Sequence, residues 1–133
     1  LHIEMAHDVR IIPITAQHRR KDIKPWFGDS IGHWDGQTLV VETVGLHPLH
    51  AERHYVAALS ESARITERFT RVSKVEMLYE FEVEDPVYYT ENWSGEMIFT
   101  ASNEPIYEYA CHEGNYGLLG ILTGARQLER ESQ

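Results

Sequence analysis

The sequence predicts an all-β, mainly antiparallel domain, with a barrel-like, strongly curved or jelly-roll-like sheet and one C-terminal helix. Three observations carry this. Apolar and polar residues alternate over 30–44 and 64–101 with the two-residue period of half-buried strands. Turn residues (Asp35-Gly36, Ser73-Lys74, Asp85-Pro86, Ser102 to Pro105) break those runs at short intervals. Only 118–129 has apolar residues at helical spacing.

The elements follow in order. Residues 1–5 and 9–14 read as an apolar strand pair or one bent strand, interrupted by His7-Asp8 and ended by Pro13. Residues 16–29 read as a loop whose basic run, Gln17-His18-Arg19-Arg20-Lys21, is solvated, and whose exit carries Trp26 and Phe27. Residues 30–34 and 37–44 flank Asp35-Gly36, the pattern of a hairpin with a type I′ turn. The stretch 45–62 is irregular, with one helical turn at 55–59. Strands at 64–71, 75–83 and 92–101 then form a meander. In the middle one Val75, Met77, Tyr79, Phe81 and Val83 share a face, with Glu76, Glu80 and Glu82 on the other. A last strand is expected at 106–112. The helix over 118–129 presents Leu118, Leu119, Ile121, Leu122, Ala125 and Leu128 and closes the structure, weakened by Gly120 and Gly124.

At 133 residues the chain is read as a single domain over 1–133. With 21 acidic against 12 basic residues its formal charge is -9, which opposes contact with nucleic acid and anionic membranes. No apolar run approaches the roughly 20 residues of a membrane-spanning helix, so no membrane insertion is expected. Cys111 is the only cysteine, which excludes an internal disulfide. The chain begins at Leu1, and a processed or truncated chain is the expectation.

Candidate chemistry concentrates in 108–117. His112, Glu113 and Asn115 sit on a turn with Gly114 and Gly117, where imidazole and carboxylate can share a pocket if the strand has already ended; capping and packing of the helix is the alternative. Glu67 alternates in phase with Ile65 and Phe69 and faces the interior if they do. It then needs a partner, Arg68, Arg10 or Arg126, and unpaired it is an acid or base of raised pKa. An outward Glu67, with Thr66 and Arg68 inward, stays open. His47, His50 and His54 share one face if their segment is helical and would then suit zinc or copper, although Pro48 fits only at a helix start. Trp93, Tyr89, Tyr109 and Trp34 are the aromatics placed to line a ligand pocket. Nucleophile elbow, Walker loop, dinucleotide fingerprint and paired Cys-x-x-Cys are all missing from the sequence.

The segments Gly28-Asp29-Ser30-Ile31-Gly32-His33-Trp34-Asp35-Gly36-Gln37-Thr38-Leu39-Val40-Val41-Glu42-Thr43, Glu67-Arg68-Phe69-Thr70-Arg71, Val83-Glu84-Asp85-Pro86 and Tyr107-Glu108-Tyr109-Ala110-Cys111-His112-Glu113-Gly114-Asn115-Tyr116 resemble a family of small, mostly uncharacterised bacterial and metagenomic β-domain proteins. The resemblance spans nearly the whole chain. It implies a β domain at the C-terminal end of an exported precursor, hence a periplasmic or secreted location, and it carries no activity. Some members have an upstream cysteine that could partner the equivalent of Cys111.

The expected function is therefore binding of a small neutral, sugar-like or aromatic ligand. If the protein is an enzyme, cofactor-free lyase or isomerase chemistry fits, with His112 or Glu67 moving a proton and Arg68 or Asn115 holding the developing anion. No cofactor is favoured. A histidine-ligated divalent metal enzyme, oxidative or hydrolytic, and a structural or subunit-interaction domain are the alternatives, and a homo-oligomer is kept open.

Overall fold

Strand formation follows the alternation closely, and the computed structural model describes residues 1–4, 8–15, 17–18, 24–50, 57–107 and 116–132. Two short strands, β1 (His2–Ile3) and β2 (Asp8–Val9), make a two-stranded sheet. The main sheet is an antiparallel meander of β3 (Asp29–Asp35), β4 (Thr38–Val44), β5 (Arg64–Arg71), β6 (Glu76–Glu84) and β7 (Trp93–Thr100). Its spatial order is the chain order. No closed barrel is found among the described residues; β3 and β7 are the sheet's outer strands.

The hairpin forms one residue later than its turn signal suggested. Asp35 pairs with Thr38, so the two-residue loop is Gly36-Gln37, with Gly36 at φ +59° in its first position. Drawing Asp35 into the ladder lets its carboxylate accept a hydrogen bond from Arg68 at 3.0 Å, an interaction the predicted turn could not offer. The next two strands match expectation to within a residue at each end. Residues Ile106 and Tyr107 are exposed and outside any strand, contrary to the expected strand at 106–112; positions 108–112 lie outside the described residues, as do 55 and 56 of the helical turn expected at 55–59.

Register divides the sheet into two faces. Ser30 pairs with Thr43, Val41 with Glu67, Glu67 with Phe81, Phe69 with Tyr79, and Val83 with Trp93. Side chains alternate along each strand, so these residues share one face with Gly95, Met97 and Phe99. Val41 is fully buried there, Thr43 and Val83 nearly so. Full burial of a valine side chain contributes about 1.5–3 kcal/mol. The core sits on β4 and β5 and thins toward β7, whose Met97, Ile98 and Phe99 are 47%, 52% and 41% exposed.

The β3 edge is covered by the chain itself. Ile14 bridges Gly32 in parallel, and the Gly32 N–H donates to the Pro13 carbonyl at 2.8 Å. Gly32 makes this contact a close one: a Cβ would stand 3.1 Å from both the Ile12 and Ile14 side chains, which would have to give by a few tenths of an ångström.

The chain forms two compact units, Leu1–His2 with Val9–Glu104, and Ile3–Asp8 with Pro105–Gln133. In the second, α1 (Gly117–Glu131) forms where the periodicity placed a helix, and none of its residues is buried. No helix among the described residues is long and apolar enough to cross a membrane.

Candidate functional site

The most highly organised polar group in the sheet is centred on Glu67. Alternation between Ile65 and Phe69 turns its carboxylate onto the face shared with Val41 and Phe81, where it is 5% exposed. Of the expected partners, the one that meets it is Arg10. Arg10 Nη1 donates to Glu67 Oε1 at 3.0 Å and Nη2 to Oε2 at 2.6 Å, a bidentate pair. The same Nη2 reaches Ser30 Oγ and Thr43 Oγ1, each at 3.1 Å, and those two hydroxyls are 2.9 Å apart. Tyr79 completes the group by donating its hydroxyl hydrogen to Glu67 Oε1 at 3.0 Å.

Burial by itself would lower the pKa of Arg10, but the hydrogen bond and charge of Glu67 outweigh it and the net shift is upward. Burial comes first for Tyr79 as well, followed by the negative charge of Glu67 and its hydrogen bond. Arg10 opposes them, yet the phenol is pushed above its ordinary range and stays a donor. The group therefore holds one cation, one anion and a neutral phenol in a fixed arrangement. Glu67 is the paired carboxylate of the two readings its phase allowed.

Aromatic rings spread from this group toward β7. Phe69 and Tyr79 have centroids 5.0 Å apart, Tyr79 and Phe99 stack at 5.3 Å and 19°, and Tyr79 lies 5.8 Å from Phe81. Phe81 meets Trp93 edge-on at 5.5 Å, and Trp93 meets Tyr89 at 5.7 Å. Gly95 makes room for this row: a Cβ there would stand 2.6 Å from the Phe81 ring. Trp93 and Tyr89 thus join this row of rings, each part-buried. Trp34 is 61% exposed and the rings of this row do not include it. Tyr109 lies outside the described residues.

The opposite face is ionic. Arg68 lies there, facing away from Glu67 and bonded to Asp35, so an anion-holding role beside Glu67 is corrected: adjacent strand residues point to opposite faces. With Glu80, Glu82, Glu96, Thr66 and Ser94 it lines a shallow depression. His18, expected in a solvated basic loop, is instead docked here. Its Nδ1 lies 3.0 Å from Asp29 Oδ2 and its Nε2 2.8 Å from Glu42 Oε1, while Arg64 also bonds Glu42.

The His18 hydrogen bond is the leading reason the Glu42 pKa is lowered; burial opposes it, and Arg64 assists. A depressed carboxylate stabilises the fold above its unfolded pKa of about 4.3, and that contribution is lost as pH falls through the lower folded value. Glu42→Gln is expected to cost less than about 1 kcal/mol at pH 7, the range of exposed ion pairs. Thermal melts should show this cost shrinking toward zero at a pH below the folded value; a pH-independent cost would remove the ionic explanation.

Two of the three expected metal residues, His47 and His50, are among the described residues. His47 Nδ1 accepts the Leu49 N–H at 3.2 Å, and the rings of His47 and His50 lean on Trp26 at 5.3 and 5.9 Å. His54 lies outside the described residues, and among the described residues no group of three or more His, Cys, Asp or Glu is placed to hold a metal ion. His112, Glu113 and Asn115 also fall outside them.

Three participants were not anticipated: Ser30, Thr43 and Tyr79 as members of the Glu67 group. Tyr79 was legible as an inward residue of its strand, but its meeting with Glu67 depends on the β5–β6 register. No family model, curated protein or solved structure matches this chain.

Proposed function

We propose that the aromatic face of the sheet binds a small, neutral, ring-shaped ligand, aromatic or sugar-like. The observation that carries this reading is the half-exposed row Tyr79, Phe81, Trp93 and Phe99, anchored at Tyr79 by its hydrogen bond to the buried Glu67. Rings already fixed by neighbours lose little entropy when a flat ligand stacks on them, and the fixed polar group leaves no loose charge beneath. A net charge of -9 disfavours anionic ligands. The barrel-like or jelly-roll-like form expected for the sheet belongs to this proposal, because an open meander is the wall that a ligand-enclosing cup needs. Lyase or isomerase chemistry belongs to it as a further step, assigned to the 112–115 turn, with Glu67 serving to position Tyr79.

Titration of the full chain with p-cresol and with methyl β-glucopyranoside, followed by tryptophan fluorescence, tests the reading. A saturable response to at least one probe is expected. Phe99→Ala should weaken it about two- to tenfold, the equivalent of losing one aromatic contact of about 0.5–1.5 kcal/mol. No saturable response up to about 10 mM of either probe would overturn it.

A further inference from the structure

The two outer strands of the main sheet are treated differently by the chain. Along β3 the 11–15 segment lies over the edge and takes up the Gly32 N–H, whereas β7 has no strand beyond it among the described residues. Its eight residues contain no proline and no lysine, and a single charge, Glu96. Edge strands are ordinarily protected by such residues because their free N–H and C=O groups template pairing with another chain.

The free groups can be assigned. Ala101 N–H donates to the Val75 carbonyl at 2.7 Å, making Val75 and Ala101 a hydrogen-bonded pair of the antiparallel ladder. Such pairs recur at every second residue, so Phe99, Met97 and Gly95 turn their backbone groups toward Met77, Tyr79 and Phe81 of β6. Ser94, Glu96, Ile98 and Thr100 therefore point theirs outward.

We propose that β7 pairs antiparallel with β7 of a second copy about a two-fold axis at Ile98, joining the two five-stranded sheets edge to edge. An isologous antiparallel pair can be centred on an outward-facing residue, as a hydrogen-bonded pair, or on an inward-facing one, as a non-hydrogen-bonded pair, so Glu96, Met97 and Ile98 are the central choices. Centring on Met97 sets each Glu96 opposite Ile98 of the other copy, a carboxylate against an apolar side chain. Centring on Glu96 sets two carboxylates directly opposite, a destabilising arrangement. Centring on Ile98 places Ile98 against itself, Met97 against Phe99 and Glu96 against Thr100. This register covers the three most apolar exposed positions of the strand. Because the β3 edge is occupied by its own chain, the pairing closes at two copies rather than propagating. A charge of -9 on each copy opposes association, so added salt strengthens it.

Light scattering on the eluting full chain at up to about 100 µM should give twice the monomer mass, more completely at higher salt. Ile98→Pro removes an outward N–H that no strand among the described residues pairs with, a position where edge strands tolerate proline, and should return the monomer mass with unchanged far-UV circular dichroism. Register is read separately in a Cys111→Ser background treated with oxidised glutathione. Ile98→Cys should cross-link to a dimer, since paired Cα atoms about 5.5 Å apart suit a disulfide. Glu96→Cys, with its copies more than about 12 Å apart, should not. A monomer at every concentration, a ladder of higher oligomers, a dimer that survives Ile98→Pro, or equal cross-linking at both positions overturns the proposal. The first of these would leave the edge to a strand of another protein.

Discussion

Glu67→Ala is expected to cost about 3 kcal/mol of folding stability, the lower end of the range for breaking a buried ion pair. Removing the carboxylate leaves Arg10 with its cation between the Ser30 and Thr43 hydroxyls, and no anion to offset its desolvation. The lower end applies because the Arg10 side chain keeps 16% exposure and can draw toward water. The Tyr79 hydroxyl loses its acceptor in the same step. Tyr79→Phe removes only that bond and should cost about 1 kcal/mol. The informative comparison is the double variant Arg10→Met with Glu67→Leu, which replaces both charges with apolar groups. It should recover most of the loss, because the pair is expensive to break and of little net value when whole. Urea unfolding at pH 7 measures all three. A double variant as unstable as Glu67→Ala would show instead that the network's geometry, through its serine and threonine bonds, carries the stability.

The meander was legible because its evidence is local. Alternation from Arg64 to Thr100 and the turns at Ser73-Lys74 and Asp85-Pro86 need no knowledge of distant residues. Glu67 was legible as an inward carboxylate for the same reason. Its partner was not. Arg10 belongs to a segment outside the main sheet, 57 residues away, and three arginines fitted the requirement equally well. His18 shows the opposite failure. Its basic neighbours suggested a solvated loop, but Asp29 and Glu42 converge across the β3–β4 pair to receive it, and only the register reveals two carboxylates at that spacing. The hairpin slipped by one residue from its signal because Asp35 had a better use in the ladder, opposite Thr38 and within reach of Arg68. In each case the residue type was readable and the pairing was not.

The second large effect is expected at Asp85, a position read from the sequence only as part of a turn. Its side chain is 2% exposed and every hydrogen bond it makes is as an acceptor. Ser60 N–H donates to Oδ2 at 2.6 Å; Ser60 Oγ and Val87 N–H donate to Oδ1 at 2.8 and 3.1 Å. Its own carbonyl accepts from Tyr89 at 2.9 Å, closing the turn that leads to Trp93. The carboxylate thus ties the chain before β5 to the turn after β6, fixing the end of the sheet from which Tyr89 meets Trp93. Asp85→Asn keeps the shape but must present its amide NH2 to at least one of three donors. Whichever way it turns, one buried N–H or O–H loses its acceptor, and the charge assistance of the others is gone. A cost of about 2–3 kcal/mol is expected, against about 1 kcal/mol for Ser60→Ala, which removes one donor to Asp85 and the part-buried Oγ that accepts the Ser62 N–H. If Asp85 acts through this latch, Asp85→Asn should also loosen the Tyr89–Trp93 contact, seen as altered tryptophan emission in the folded baseline before unfolding begins. An asparagine variant as stable as the parent would mean that water meets these donors, and the end of the sheet would then be held by Val83 and Ala63 packing alone.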